Sequence, residues 1–383
     1  MRIKFRKTPD QVELIKATVQ KNEIEARKAQ WAFADLMQPV LQGVLQQADT
    51  TGGFFTPFEF NEDDDPSFPL DPFRNLGDDY ISLWSQEVAG GLPRNHVHLP
   101  TDEVKFATWR VDSAMSWDRK FNRKARLEII AGFLTRLFQE ILLKTDKNAW
   151  TTLMTALANA SHPINGTATN HVFRATTKGT FDLDELNHWF TLVRRLNQSW
   201  SGGTPVGNQG FGLTDIFTSP EFVQEIRSLS YNPVNTKGAN NVTGTAASGV
   251  VTLSESERQR LFSKAGVPDF MGVNLNILNE FGQGTYAYNL LFNAAAASTS
   301  YLNRAGAGGA VFDHTTEEII FGVNNAAEPW AWRPIEQDGE TSQDLRLLPD
   351  DQYTTRGEVV GSYGYRQVGH LITDTRPITG FIW

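Results

Sequence analysis

Residues 118–160 read DRKFNRKARLEIIAGFLTRLFQEILLKTDKNAWTTLMTALANA, and they form the longest periodic segment of the chain. Its apolar residues recur every three or four positions, as at Leu127, Ile130 and Leu134. This spacing predicts an α-helix with a broad apolar face. The helix must end at Pro163, because proline has no backbone N–H to donate.

The predicted helix is long enough to organise the rest of the chain. From Asn122 to Asn159 it would measure about 57 Å at a rise of about 1.5 Å per residue. A helix of that length acts as a spine on which other elements pack. Residues 144–148 (KTDKN) are polar on all sides, which predicts a bend or a break into two helices. An ordinary pair of core helices would show the same periodicity.

Composition places the chain among globular proteins. It has 383 residues, enough for two domains, with 40% hydrophobic and 21% charged residues. It has no cysteine, which excludes disulfides, thiolate metal sites and cysteine nucleophiles. The net charge of −9 gives no global field that attracts nucleic acid. We see no secretory signal and no apolar run of the roughly 20 residues that a bilayer requires, so we expect no membrane partner.

The region before this helix combines a helical arm with an aromatic segment. One helix is predicted over 9–47, charged at first and apolar later, which describes either an arm that docks on another subunit or a plain surface helix. Residues 54–79 are rich in proline and acid, which argues against regular structure. Exposed phenylalanine is costly, so we expect these rings to lie in grooves on a neighbouring surface. The rings are Phe54, Phe55, Phe58, Phe60, Phe68 and Phe73.

Two strands are predicted over 80–88 and 104–111, with a breaker-rich segment over 89–100 between them. A lone two-stranded projection of this length is marginal in water, so it needs a surface on which to lie. The centre of the chain then alternates helices and strands, which predicts an α+β or α/β domain. Helices are predicted over 181–196 and from Ser219, and strands near 213–218, 273–278, 287–291, 318–323, 354–365, 366–373 and 378–382.

Motifs for catalysis are missing from the sequence. There is no Gly-x-Ser-x-Gly elbow, no phosphate-binding loop and no dinucleotide fingerprint. His96 and His98 would share one face of a strand, a spacing that some metal sites use, but they lie between Pro93 and Pro100 with no obvious third ligand, so an exposed loop pair is the better interpretation. The acidic run 62–65 is a cation site or a solvated face. We therefore predict no catalytic, cofactor-binding or metal residue, and a protein that is not an enzyme.

Three segments carry a resemblance to a known family. They are VKFATWRVDSAMSWDRKFNRKARLEIIAGFLTRL over 104–137, GLTDIFTSPEFVQEIRSLSY over 212–231, and GEVVGSYGYRQVGHLITDTRPITGFIW over 357–383. In this order they resemble the major capsid proteins of tailed bacteriophages, which have the Hong Kong 97-like (Johnson) fold. The resemblance covers most of the chain by architecture.

The resemblance implies an α+β fold in five parts. These are an N-terminal arm (1–79), an extended β-hairpin loop (80–111), the spine helix with a peripheral domain (112–160), an axial domain (161–321) and a return to the peripheral domain (322–383). It also implies a chain that self-assembles as hexamers and pentamers into an icosahedral head shell around packaged double-stranded DNA. The expected location is the virion, after folding in the cytoplasm of the bacterial host.

The resemblance also names residues and partners. Contacts with neighbouring subunits would come from the aromatic arm and the hairpin, that is Phe54, Phe55, Phe58, Phe60, Phe68, Phe73, Trp84, Leu92 and Trp109. Residues facing the DNA would be Arg2, Lys4, Arg6 and Lys7. Scaffolding, portal and decoration proteins would be separate chains. For scaffolding, the start at Met1 favours a separate protein or none. The alternatives are an encapsulin-type cargo shell, which shares the fold, and an α/β enzyme with its site in 161–321.

Overall fold

The structure is a computed structural model that describes residues 8–61, 67–69, 103–164, 167–178, 183–196, 212–231, 269–303, 309–326, 329–337, 345–350 and 359–383. These residues form two compact units. Within the described ranges, unit 1 takes its residues from 8–69, 103–150 and 331–371, and unit 2 from 151–330 and 372–383. Helices and strands are both abundant, so the predicted α+β class is confirmed.

The helices are α1 (Pro9–Ala17), α2 (Glu23–Ala48), α3 (Arg119–Arg123), α4 (Leu127–Asn159), α5 (Leu183–Leu196), α6 (Pro220–Tyr231) and α7 (Ala287–Ala295). The first nine strands are β1 (Phe55–Asn61), β2 (Ser67–Pro69), β3 (Glu103–Lys105), β4 (Trp109–Asp118), β5 (Ser161–Ile164), β6 (Thr167–Asn170), β7 (Val172–Arg174), β8 (Asp215–Thr218) and β9 (Asp269–Phe270). The others are β10 (Val273–Ile277), β11 (Ser300–Tyr301), β12 (Ala310–Val311), β13 (Ile319–Val323), β14 (Ala331–Gln337), β15 (Arg346–Asp350), β16 (Val359–Val368), β17 (Leu371–Ile372) and β18 (Ile378–Ile382).

The spine helix α4 is continuous over 33 residues, which at about 1.5 Å per residue makes it about 50 Å long. It starts later than the sequence predicted, because Ala125 has a left-handed φ of 46° and separates α3 from α4. The polar residues 144–148 do not break it. Leu134, Leu137 and Ile141 are almost fully buried and place one face of α4 in the core of unit 1.

Unit 1 is built on a sheet in the order β1-β14-β16-β15, with β4 along the other edge of β16. β4 and β16 pair antiparallel over ten residues, from Asp118 with Val359 to Trp109 with Val368. Side chains alternate on these strands, so Val111, Trp117 and Val360 enter the core. The opposite row of β4, which includes Arg110, faces solvent.

The arm is two helices rather than the single one predicted over 9–47. Its break is fixed by side chains, since the Thr18 hydroxyl donates to the Ile15 carbonyl at 2.6 Å and the Asn22 side chain accepts from the Ile24 N–H. The Gln30 amide then donates to the Thr18 carbonyl at 3.2 Å, which holds the start of α2 against the end of α1.

Unit 2 contains a mixed sheet in the order β7-β18-β13-β8-β10-β9. Every residue of β13 and β18 is buried, so these central strands are covered on both faces. Helices α5 and α6 pack on one face through Trp189 and Phe222. Gly322 lies under Trp189, and a Cβ at this position would come within 2.7 Å of the indole ring. The close approach therefore requires glycine.

Several predicted elements differ from the structure. Residues 287–291 begin the helix α7 instead of a strand. The loop-like segment after Phe54 contains β1, which pairs parallel with β14, and the turn region 161–180 contains β5 to β7. The last strand, β18, belongs to the sheet of unit 2, whereas the resemblance placed it with β14 to β16, which form part of the sheet of unit 1. Most of the predicted hairpin and the residues over 232–268 lie outside the described residues.

Candidate functional site

Many of the residues predicted for contacts lie outside the described part of the chain. These are Arg2, Lys4, Arg6, Lys7, Phe73, Trp84 and Leu92. Phe68 belongs to β2, which pairs with β3, but only its backbone is described. Their roles in contacts with DNA and with neighbouring subunits remain predictions.

The other predicted aromatic residues lie in unit 1, where the chain itself covers most of them. Phe54, Phe55 and Phe60 are 5%, 3% and 8% exposed, whereas Phe58 and Trp109 are half-buried. Strand β1 accounts for the burial of Phe55 and Phe60, because its pairing with β14 makes it an outer strand of the sheet of unit 1. The three buried rings therefore do not need another copy of the chain to keep them from water. This corrects the expectation that they lie in grooves on a neighbouring surface.

Ring contacts fix the positions of these side chains. Phe55 meets His370 edge to face with 4.9 Å between the ring centres, and Trp109 lies 6.0 Å from the same imidazole. Phe58 and Phe60 both contact Phe106, at 6.3 and 6.0 Å. Edge-to-face pairs of this kind each stabilise a fold by about 0.5–1.5 kcal/mol beyond area burial. The aromatic segment is thus part of the core of unit 1.

A buried polar cluster beside these rings was not predicted from the sequence. Its members are Asp49, Thr50 and Thr51 after α2, Asp146 and Trp150 on α4, and Arg333 on β14. Asp49 forms an ion pair with Arg333, and both side chains are at most 7% exposed. Asp146 accepts from the Thr50 hydroxyl at 3.0 Å and from the Thr51 hydroxyl at 3.3 Å. We call this group the Asp49–Asp146 cluster.

The two carboxyl groups of the Asp49–Asp146 cluster differ in charge. Burial, together with the neighbouring carboxylate of Asp49, raises the pKa of Asp146 to about 7. Burial also opposes the ionisation of Asp49, but Arg333 and three hydrogen bonds outweigh it and hold the pKa of Asp49 below its usual range. Below about pH 7, Asp49 is therefore the ionised partner of Arg333, and Asp146 holds a proton.

His370 is the neutral member of this neighbourhood. Burial lowers the pKa of its imidazole to about 3, and the positive charges of Arg333 and Arg366 act in the same direction. Neither ring nitrogen has a hydrogen-bond partner. The ring instead packs between Phe55 and Trp109. His370 thus serves as an aromatic core residue at neutral pH.

Large apolar side chains are also exposed on both units. Leu143 on α4 is 67% exposed, and Ile24 on α2 is 69% exposed. Unit 2 exposes Leu302 and Val311, which lie beside or within the β11–β12 pair, at 53% and 47%. Single exposed apolar residues are normal, but those on a subunit of an assembly are candidates for burial between copies.

The remaining polar groups show no constellation for catalysis within the described ranges. No three histidine, aspartate or glutamate side chains are placed to hold a metal among the residues searched. His162 and His171 share a hydrogen bond of 2.8 Å, and the second ring nitrogen of His171 bonds to the Ile378 carbonyl. Glu317 pairs with Arg174 inside unit 2. In the part of the chain that the structure describes, no helix is both long and apolar enough to cross a bilayer.

Comparisons with known proteins find similarity in structure alone. No protein family model matches the sequence, and no curated protein matches it. Similar solved structures include the capsid of a GTA particle, at 11% identity and a TM-score of 0.48. This match covers 88% of this chain and 90% of that chain. The capsid of Cyanophage P-SCSP1u matches at 11% identity, 86% of each chain and a TM-score of 0.47. An encapsulin complex from Synechococcus elongatus matches at 8% identity and a TM-score of 0.39, and the match covers 85% of this chain and 84% of that chain.

The TM-scores of these three structures all lie below 0.5. At these identities the likeness concerns the fold, and the function is argued below from the chain's own elements.

Proposed function

We propose that this chain is a major capsid protein that assembles with identical copies into the closed head shell of a tailed bacteriophage. The order of elements around α4 carries the proposal. An arm of two helices precedes β4, β4 leads into α3 and α4, and β14 to β16 return to pair with β1 and β4. This is the sequence of arm, spine, second domain and return that the resemblance to capsid proteins implies.

A shell subunit must keep a stable core and still offer surface to its neighbours. The Asp49–Asp146 cluster and the aromatic core of unit 1 supply the first requirement. Exposed Leu143, Ile24 and Leu302 supply candidates for the second. We place Phe58 and Trp109, which are half-buried, at the edge of such contacts. The predicted contacts of Phe68, Phe73, Trp84 and Leu92 belong to the same proposal.

The proposed role is structural and needs no cofactor. Copies of the chain associate as hexamers and pentamers, double-stranded DNA is the packaged content, and the virion is the final location. Scaffolding, portal and decoration proteins are the expected separate partners. The subunit folds in the cytoplasm of the host before assembly.

Electron microscopy and sedimentation of the purified full chain test this function. We expect closed shells or rings of five and six subunits, and a monodisperse monomer at all concentrations would overturn the proposal. Shells filled with protein cargo instead of DNA would identify the encapsulin-type alternative.

Two variants at one exposed position refine the assembly test. Leu143→Asp places a charge where we expect an apolar contact between copies, so it should lower the yield of shells. Leu143→Met keeps the apolar character and should assemble normally. Both should unfold like the wild type, because Leu143 is 67% exposed. Normal shells from Leu143→Asp would remove this residue from the interface.

A further inference from the structure

A dense group of cations lies where α1 meets α3. Residues 16–22 and 118–126 together hold seven lysines and arginines and one acid. The cations are Lys16, Lys21, Arg119, Lys120, Arg123, Lys124 and Arg126, and we call them the cationic junction. All of them except half-buried Arg119 are exposed. The chain as a whole has a net charge of −9, so this local excess of positive charge is opposite to the average.

Buried hydrogen bonds hold the two segments of the cationic junction together. The side-chain amide of Asn122 donates through Nδ2 to the Thr18 hydroxyl at 3.0 Å, and its Oδ1 accepts from the Trp117 indole N–H at 2.7 Å. Lys16 and Lys21 are within three residues of Thr18, and the cations of α3 are within three residues of Asn122. The backbone of both groups therefore lies within a region roughly 20 Å across, given at most about 3.6 Å per residue.

The single acid of the cationic junction does not neutralise it. Asp118 bonds to Lys120 at 2.7 Å, and the two segments together carry seven cations against this one acid, a net charge of +6. Further acids, Glu13, Glu23 and Glu128, begin only beyond the ends of these segments. A polyanion is therefore the ligand that matches this surface.

We propose that the cationic junction binds the phosphate backbone of double-stranded DNA. A duplex carries about one charge per 1.7 Å, so about a dozen phosphates face or flank a surface of about 20 Å. Three of the seven cations are arginines, whose planar donor fork suits phosphate oxygens. The inference rests on the proposed function, since a head shell encloses duplex DNA. It places a DNA contact at the start of the spine rather than only in the basic residues before Thr8.

Salt-dependent binding of a labelled duplex to the full chain tests the inference. The variant R123Q/K124Q/R126Q removes three exposed cations of the junction. The variant R136Q/K144Q/K147Q removes three exposed cations further along α4 and changes the net charge equally. Fluorescence anisotropy against sodium chloride concentration gives the affinity and its salt slope for each protein.

We expect the junction variant to lose about 0.9 of a unit of salt slope per phosphate contact, about 2.7 in all, and to bind at least about tenfold more weakly at low salt. The variant K16Q/K21Q, on the other segment, should lose about 1.8 units. The α4 control should bind like the wild type. Equal slopes in wild type and junction variant, or equal losses in junction and control variants, would overturn the inference.

Two further readouts separate the possible failures. Vesicles of phosphatidylglycerol that bind in a junction-dependent manner, while duplex DNA does not, would assign the surface to a bilayer and refute the DNA contact. Shells that form normally without junction-dependent DNA binding refute this inference alone. Failure of the wild-type chain to form shells or rings refutes the proposed function, whichever way the DNA measurement turns out.

Discussion

The substitution Asp146→Asn should stabilise unit 1 at neutral pH and change how its stability depends on pH. Asp146 is buried, and its carboxyl group is protonated while Asp49 beside it is ionised. An asparagine at this position can both accept and donate a hydrogen bond, as the protonated carboxyl group does, and it has no titratable proton. Its carbonyl oxygen accepts from the Thr50 hydroxyl, and its N–H₂ group donates toward Asp49.

The direction follows from the raised pKa of Asp146. In the unfolded chain the carboxyl group of Asp146 has its ordinary pKa of 3.8, whereas in the folded chain its pKa is about 7. Between these values the folded state binds more protons, so the free energy of unfolding falls as pH rises and levels off above about 7. Each unit of pKa shift corresponds to about 1.36 kcal/mol, so the free energy of unfolding falls by about 4 kcal/mol at most. Asparagine removes this loss, so the variant should gain about 2–4 kcal/mol at pH 7.5 and almost nothing near pH 4.

Urea unfolding followed by tryptophan fluorescence between pH 4 and 8 measures this gain. Burial also raises the pKa of Glu318 to about 7, which gives a similar slope, and it lowers the pKa of His171 to about 4, which gives the opposite slope. Neither group changes in the variant, so the difference between variant and wild type isolates Asp146. The exposed control Asp35→Asn should differ from wild type by less than about 0.5 kcal/mol throughout. A variant that is less stable at pH 7.5, or whose gain is the same at every pH, refutes the assignment of the proton to Asp146.

Three other substitutions test different parts of the core by urea unfolding. Asp49→Asn leaves the guanidinium of Arg333 buried without its carboxylate and should cost about 3–5 kcal/mol; a neutral result would show that the ion pair contributes nothing. Leu137→Ala, at a fully buried position of α4, should cost about 2–5 kcal/mol, whereas Leu143→Ala, 67% exposed, should cost less than about 0.5. Gly322→Ala should cost about 1–3 kcal/mol because its methyl group meets an indole ring of α5, and an unchanged melting curve would contradict that packing.

Local signals in the sequence predicted the elements whose structure depends on their own residues. Ser219-Pro220 ends β8 and starts α6 as expected, and the Ser219 hydroxyl accepts from the Phe222 N–H at 3.2 Å. Residues 287–291 were predicted wrongly because a short apolar run fits a strand or a helix equally. The structure decides for helix α7, in which the buried Asn289 amide donates to the carbonyls of His314 and Glu317. Those partners are more than twenty residues away, beyond what a local pattern reveals.

The aromatic site shows the same limit at longer range. The sequence correctly indicated that the rings of residues 54–60 require cover, but it could not say what covers them. Pairing with β14 places Phe55 opposite Ala331 and Phe60 opposite Glu336, and the rings then pack against His370 and Phe106. Parallel pairing of strands so far apart leaves no periodic signal in a single sequence, because each strand alone shows only its own alternation. The same reason hides the Asp49–Asp146 cluster, whose members come from three distant segments.

The polar residues 144–148 reverse the usual inference from such a run. Within a helix with an apolar face, a segment that is polar on all sides predicts a break, because it offers the core nothing apolar to pack. Here two of those polar residues are themselves buried. The Thr145 hydroxyl donates to the Ile141 carbonyl at 2.9 Å, and Asp146 accepts from Thr50 after the end of α2. The run that looks like a hinge is therefore where the arm is tied to the spine, and helix α4 stays whole through it because the core at that point is polar.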